Sequence, residues 1–117
     1  MKVVFIEAGK RPEVRDIGHS LKEMQKLVGG YIETIHPFND TAVIVCNEEG
    51  KINGLPLNRG LMHPETGEIY EIITGNFFIC DAGLSDKQVE LYMEQFECPE
   101  SFIMEDGKMV IIKYINI

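Results

Sequence analysis

Apolar residues along this chain gather in short runs broken by glycine, proline or charged turns. Short runs rich in β-branched and aromatic residues read as strands. Residues 2–7 (KVVFIE) form the first, ended by Ala8-Gly9-Lys10-Arg11-Pro12. Residues 31–36 (YIETIH) form a second, with Pro37 and Asn39-Asp40 as its turn. Residues 41–46 (TAVIVC) lack polar alternation, which predicts a central strand buried on both faces. After the turn-rich patch 63–68, residues 69–74 (IYEIIT) and 76–80 (NFFIC) read as strands four and five, with Gly75 between them as a bulge or a tight bend. A closing hairpin pairs 101–104 with 109–115 across Glu105-Asp106-Gly107-Lys108, where Asp-Gly is a strong turn signal.

Two segments change period. Ser20 and Glu23 make an S-x-x-E capping box, so a helix begins near Leu21. Leu21, Met24, Leu27 and Val28 recur at helical spacing and are expected to face the core, and Gly29-Gly30 stop the helix. Ser85 and Gln88 repeat the box. Val89, Tyr92, Met93 and Phe96 then mark an apolar face, with Asp86, Glu90, Glu94 and Glu97 opposite and Pro99 as the stop. These elements predict an α+β fold: a single domain over residues 1–117, with a mixed or mainly antiparallel sheet of about five to seven strands and two helices packed on it.

Composition narrows the function. Hydrophobic residues make up 44% of the 117 positions, enough for an ordinary core. The net charge of −8 argues against a nucleic-acid backbone as the main partner, since that needs clustered Lys and Arg. It suits a basic protein partner or plain solubility. No apolar run approaches the length of a membrane span, so no membrane partner is expected. Cys46, Cys80 and Cys98 form no C-x-x-C, which fits buried thiols in a reducing cytoplasm.

The chemistry-bearing stretch is 47–59 (NEEGKINGLPLNR), read as a rigid loop leaving the end of the central strand. Asn47, Gly50 and Pro56 could serve the turn alone. Lys51, Asn58 and Arg59 are not needed for that. Asn58 offers donors and an acceptor, and Arg59 a planar fork of donors. With Glu48 or Glu49 they could read a polar ligand, or Arg59 could pair internally with a glutamate in a structural loop. Lys10 and Arg11, with Arg15, form the one basic cluster, and Tyr31 could stack on a ligand. His19, His36 and His63 lack metal-ligand spacing, and no phosphate-binding or nucleophile motif occurs, so neither metal nor cofactor is expected. The segment 81–106 carries Asp81, Asp86, Glu90, Glu94, Glu97, Glu100, Glu105 and Asp106 against Lys87 alone, which reads as a solvated face or as an imitation of DNA phosphates.

Residues 28–33 (VGGYIE), 47–51 (NEEGK) and 54–59 (GLPLNR) resemble the signature blocks of domain-of-unknown-function family 3846. Glu7 with Gly9-Lys10-Arg11-Pro12, Gly75-Asn76-Phe77 and Leu84-Ser85-Asp86 are similar too, and the closing hairpin is less so. The resemblance implies a small accessory protein of a phage, plasmid or conjugative element. It carries no catalytic residue, and it suggests that the three blocks share one face. The leading expectation is a non-enzymatic binding protein that sequesters a small phosphorylated or nucleotide-like molecule. Lys10, Arg11, Lys51 and Arg59 would neutralise its charge, and Asn47 and Asn58 would supply directed hydrogen bonds. The alternatives are an acidic DNA mimic acting on host restriction or transcription proteins, and a small enzyme using Glu48 or Glu49. The β-rich C-terminus leaves pairing with a second copy open as a homo-oligomer.

Overall fold

The computed structural model describes residues 1–97, 101–105 and 108–117, the stretches 101–105 and 108–112 by their backbone. Their order is β1 (Lys2–Ile6), β2 (Glu13–Asp16), α1 (Leu21–Val28), β3 (Ile32–Ile35), β4 (Val43–Asn47), β5 (Leu57–Met62), β6 (Ile69–Thr74), β7 (Phe77–Cys80), α2 (Asp86–Gln95), β8 (Ser101–Glu105) and β9 (Lys108–Asn116). The α+β reading holds, but the strands form two sheets rather than one. The first runs β2-β1-β7-β4-β3, antiparallel throughout. The second runs β6-β5-β9-β8, with β5 and β9 parallel.

The three central strands of the first sheet, β1, β7 and β4, are apolar on both faces, as their unbroken runs require. Val3, Phe5, Val45, Phe78 and Cys80 meet Val28, Met24 and Leu27 of α1 on one side. Val4, Ile6, Ile44, Cys46, Phe77 and Ile79 form the larger core on the other, with Leu61, Ile73 and Ile115 of the second sheet and Tyr92 and Phe96 of α2. The central-strand expectation for 41–46 is realised in β4, between β3 and β7.

Two strands escape a reading by hydrophobic pattern. β2 is exposed at every position, an edge strand made of charge (EVRD). β5 reads LNRGLM, yet its Asn58, Arg59, Gly60 and Leu61 are buried. The stretch 47–59 is therefore not one loop: a compact turn covers 48–54, and the chain then enters a central strand. Gly75 is a tight bend, with φ +74°, where the chain leaves β6 in one sheet for β7 in the other.

Both helices start as their caps predict. Ser85 and Gln88 close a full reciprocal box. At α1 only half forms: Ser20 accepts from the Glu23 N–H at 3.1 Å, while Glu23 reaches further back, to the Gly18 N–H at 2.8 Å. Leu21 departs from expectation, at 57% exposed. On this two-turn helix the fully buried contact falls on Val28 in the last turn, and the first residue stands clear of the sheet. The C-terminal hairpin pairs Ser101 with Ile112 through Glu105 with Lys108, while its expected Asp106-Gly107 turn and the stop at Pro99 lie outside the described residues.

Candidate functional site

Asn47 ends β4 with its side chain turned inward. Its Nδ2 donates to the Val28 carbonyl at 3.0 Å, and its Oδ1 accepts from the Glu49 N–H at 2.8 Å. Val28 is the last residue of α1, so Asn47 satisfies a carbonyl the helix cannot satisfy itself. The Glu48 N–H donates to the Tyr31 carbonyl at 2.9 Å. The VGGY and NEEG blocks thus lie side by side, joined by a buried asparagine.

Asn58 and Arg59 point into the molecule and are both 0% exposed. Asn58 Nδ2 donates to the carbonyls of Ile6, at 3.0 Å, and Gly75, at 2.8 Å. It ties the end of β1 and the crossing between sheets to β5. Arg59 donates from Nη2 to the carbonyls of Lys10 (2.7 Å), Phe96 (2.9 Å) and Glu97 (3.2 Å), from Nε to Phe96 (3.2 Å), and from Nη1 to Asn58 Oδ1 (2.9 Å). Phe96 is the C-cap of α2, a helix with no basic residue in its last turn. Arg59 therefore supplies from β5 the cation and donors that the negative end of a helix attracts. Neither side chain faces solvent; from the LPLNR block Leu55 and Pro56 reach the surface, where they line a separate recess with Val28 and Gly29 of the VGGY block.

The remaining candidates are spread out. Lys10 pairs with Glu7 at 2.6 Å, and Arg11 with Glu97 at 3.8 Å, near the end of α2. Tyr31 is 68% exposed, and Glu48 and Glu49 are exposed on the turn. Lys51 pairs with Glu71 of β6.

Lys51 and Glu48 do help line a recess at the mouth between the two sheets, about 270 Å³ in volume. Glu33 and Cys46 face it as direct partners across β3 and β4, and Glu71 and Thr74 face it from β6. Ile52, 85% exposed, stands at its rim. The lining is acidic: three glutamates against one lysine. The Cys46 thiol is pushed up to about 11 by burial and the nearby Glu33 and Glu71 carboxylates, so at neutral pH it is a thiol and not a nucleophile. Sequence reasoning missed Glu33, Cys46, Ile52 and Glu71. A single acid inside the apolar run IYEIIT was the available signal for Glu71, since a buried strand accommodates a carboxylate poorly without a partner.

On the far side, α2 is held by a polar network. Tyr92 Oη and Gln88 Nε2 donate to Asp40, and Thr41 Oγ1 and Gln88 Nε2 donate to Asp81. Burial works against the Asp40 carboxylate, yet the Tyr92, Ala42 and Gln88 donors hold it below its ordinary value. Donors from Thr41, Ala82 and Gln88 do the same for Asp81. Tyr92 is raised by burial and by its bond to Asp40. Along the acidic face of α2, Asp86 has Lys2 at 3.5 Å and Glu97 has Arg11. Cys46 and Cys80 are free and buried, and Cys98 lies outside the described residues. Among the described residues no group of three or more His, Cys, Asp or Glu could hold a metal ion, and no helix is long and apolar enough to cross a membrane.

A family model described as domain of unknown function DUF3846 matches residues 1–97. No curated protein and no solved structure matches the chain.

Proposed function

The chain belongs to the DUF3846 family, a domain of unknown function, and from that premise we propose that it is a non-enzymatic binding protein whose seat is the recess between the two sheets. Its setting, in this reading, is the host cytoplasm, as an accessory protein of a phage, plasmid or conjugative element. The observation that carries the proposal is the convergence of Glu33, Glu48 and Glu71, with the rim residue Ile52, on one recess with a single cation, Lys51. Such a lining suits a ligand bearing an amine or guanidinium group and a small apolar part.

The sign of the ligand is thus reversed from the phosphorylated molecule that the LPLNR block suggested. Arg59 is directed at backbone carbonyls inside the fold, and Lys10, Arg11 and Lys51 each face a glutamate. The DNA-mimic reading draws less support, because Asp86 and Glu97 at the two ends of the acidic helix face each have a cation beside them. An enzyme built on Glu48 and Glu49 draws less support, since only Glu48 reaches the recess and both residues are exposed on a turn.

The test is a backbone amide NMR titration with arginine amide, spermidine and AMP as probes. The expected result is saturable movement of the Glu33, Glu48, Ile52 and Glu71 amides with the first two probes, lost in Glu48→Arg. Movement with AMP alone, centred on Lys10, Arg11 or Lys51, would overturn this reading and restore the anion site.

A further inference from the structure

β6 is the outermost strand of its sheet, and among the described residues no strand pairs with its free side. The Gly75 N–H bonds to the Pro56 carbonyl at 2.7 Å, and the alternation of an antiparallel ladder then turns the Ile72 N–H outward. That N–H is not left bare: it donates to its neighbour's carboxylate, Glu71 Oε1, at 3.1 Å. Lys51 holds the same oxygen. The Glu71 side chain thus occupies the place that the carbonyl of an adjoining strand would take, and a lysine from the turn pins it there. Gly50 presses against Thr74 and closes the far end of the edge, where a Cβ on Gly50 would collide with the threonine hydroxyl. Ile69 (54% exposed), Tyr70 (44%) and Ile52 (85%) lie open.

We propose that the occupant of the recess is an extended, lysine- or arginine-bearing segment of another protein, which adds as a strand to the free edge of β6. This rests on the recess being the binding seat. Main-chain bonds to the edge would give the affinity, and the acids beneath would choose the side chains. Arrival of the segment displaces Glu71 from the Ile72 N–H, swings Lys51 to solvent, and lets Glu71 turn with Glu33 and Glu48 to the incoming cation. Charge selects this occupant over a second copy of the chain, which carries −8.

The experiment is fluorescence anisotropy with a labelled peptide of alternating lysine and threonine, and the same peptide N-methylated at alternate amides. The intact peptide is expected to bind saturably, and the form methylated on its edge-facing amides about 10-fold or more weakly. Lys51→Ala should tighten binding about 3-fold or more by releasing Glu71. Ile72→Pro should fold, since an outward N–H is dispensable at an edge, and should abolish binding. Equal binding of both peptides, or no peptide binding while arginine amide still moves the recess amides, overturns strand addition and leaves the seat standing. Failure of both probes removes the seat as well. Self-association of the peptide-free protein that Ile72→Pro abolishes would put a second copy on the edge and overturn the proposal.

Discussion

Three residues that look like ligand contacts in the sequence, Asn47, Asn58 and Arg59, turn out to tie the backbone together. Each satisfies carbonyls that the regular elements leave unpaired, at the end of α1, at the bend between the sheets and at the end of α2. A buried cation bound to several carbonyls leaves all of them unsatisfied when it is removed. Arg59→Ala should therefore destabilise the protein by about 3 kcal/mol or more, and Arg59→Lys, which keeps the charge but not the fork, by about 2 kcal/mol. Urea unfolding would show both. A loss below about 1 kcal/mol in Arg59→Ala would mean that the cap on α2 contributes little. From sequence, polar residues of this kind are ambiguous, because the donor groups that fit a ligand also fit a helix end.

At the scale of elements, most strands declared themselves, β1, β4 and β7 by unbroken apolar runs and β3, β6, β8 and β9 by β-rich stretches between turn signals. β5 did not, because three of its four buried positions are Asn58, Arg59 and Gly60, whose place in a core depends on partners far along the chain. Gly60 is the clearest case. A Cβ there would run into the ring of Tyr114, its register partner on β9. Gly60→Ala should cost about 1–3 kcal/mol by overpacking this parallel pair. Tyr114→Ala, which removes the ring, should recover part of that loss in the double variant, as a thermal or urea double-mutant cycle would show. Additive losses would mean that the contact is not what excludes a side chain at position 60. The family match ends at residue 97, yet Ile115 of β9 is buried in the main core, so the closing hairpin completes the second sheet.

For the whole molecule, stability should depend on pH through the network that seats α2. Asp40 and Asp81 have lowered values in the fold. Their contribution is present above the unfolded carboxyl value of 3.8 and is lost as pH falls through the lower folded values. Tyr92 is raised, so its contribution is full below the unfolded value of 10.0 and is lost as pH rises through the folded one. The urea midpoint should thus hold between these limits and fall on either side. Asp40→Asn should flatten the acid limb, and Tyr92→Phe the alkaline limb. An unchanged alkaline limb in Tyr92→Phe would remove Tyr92 from the account.

The sequence by itself determined the local matters: the apolar runs that become β1, β4 and β7, both N-terminal caps, the Gly29 stop, the apolar face of α2 and the α+β class. Each follows from residues close together in the chain, whose spacing alone sets period, cap or turn. The tertiary structure decided what depends on distant partners. It split the strands into two sheets, sent Asn58 and Arg59 inward, and gathered Glu33 of β3, Cys46 of β4, Lys51 of the turn and Glu71 of β6 into one recess. Whether a polar side chain meets solvent, a ligand or a carbonyl depends on which backbone groups the packed elements leave unpaired, and those are settled only once the two sheets and two helices meet.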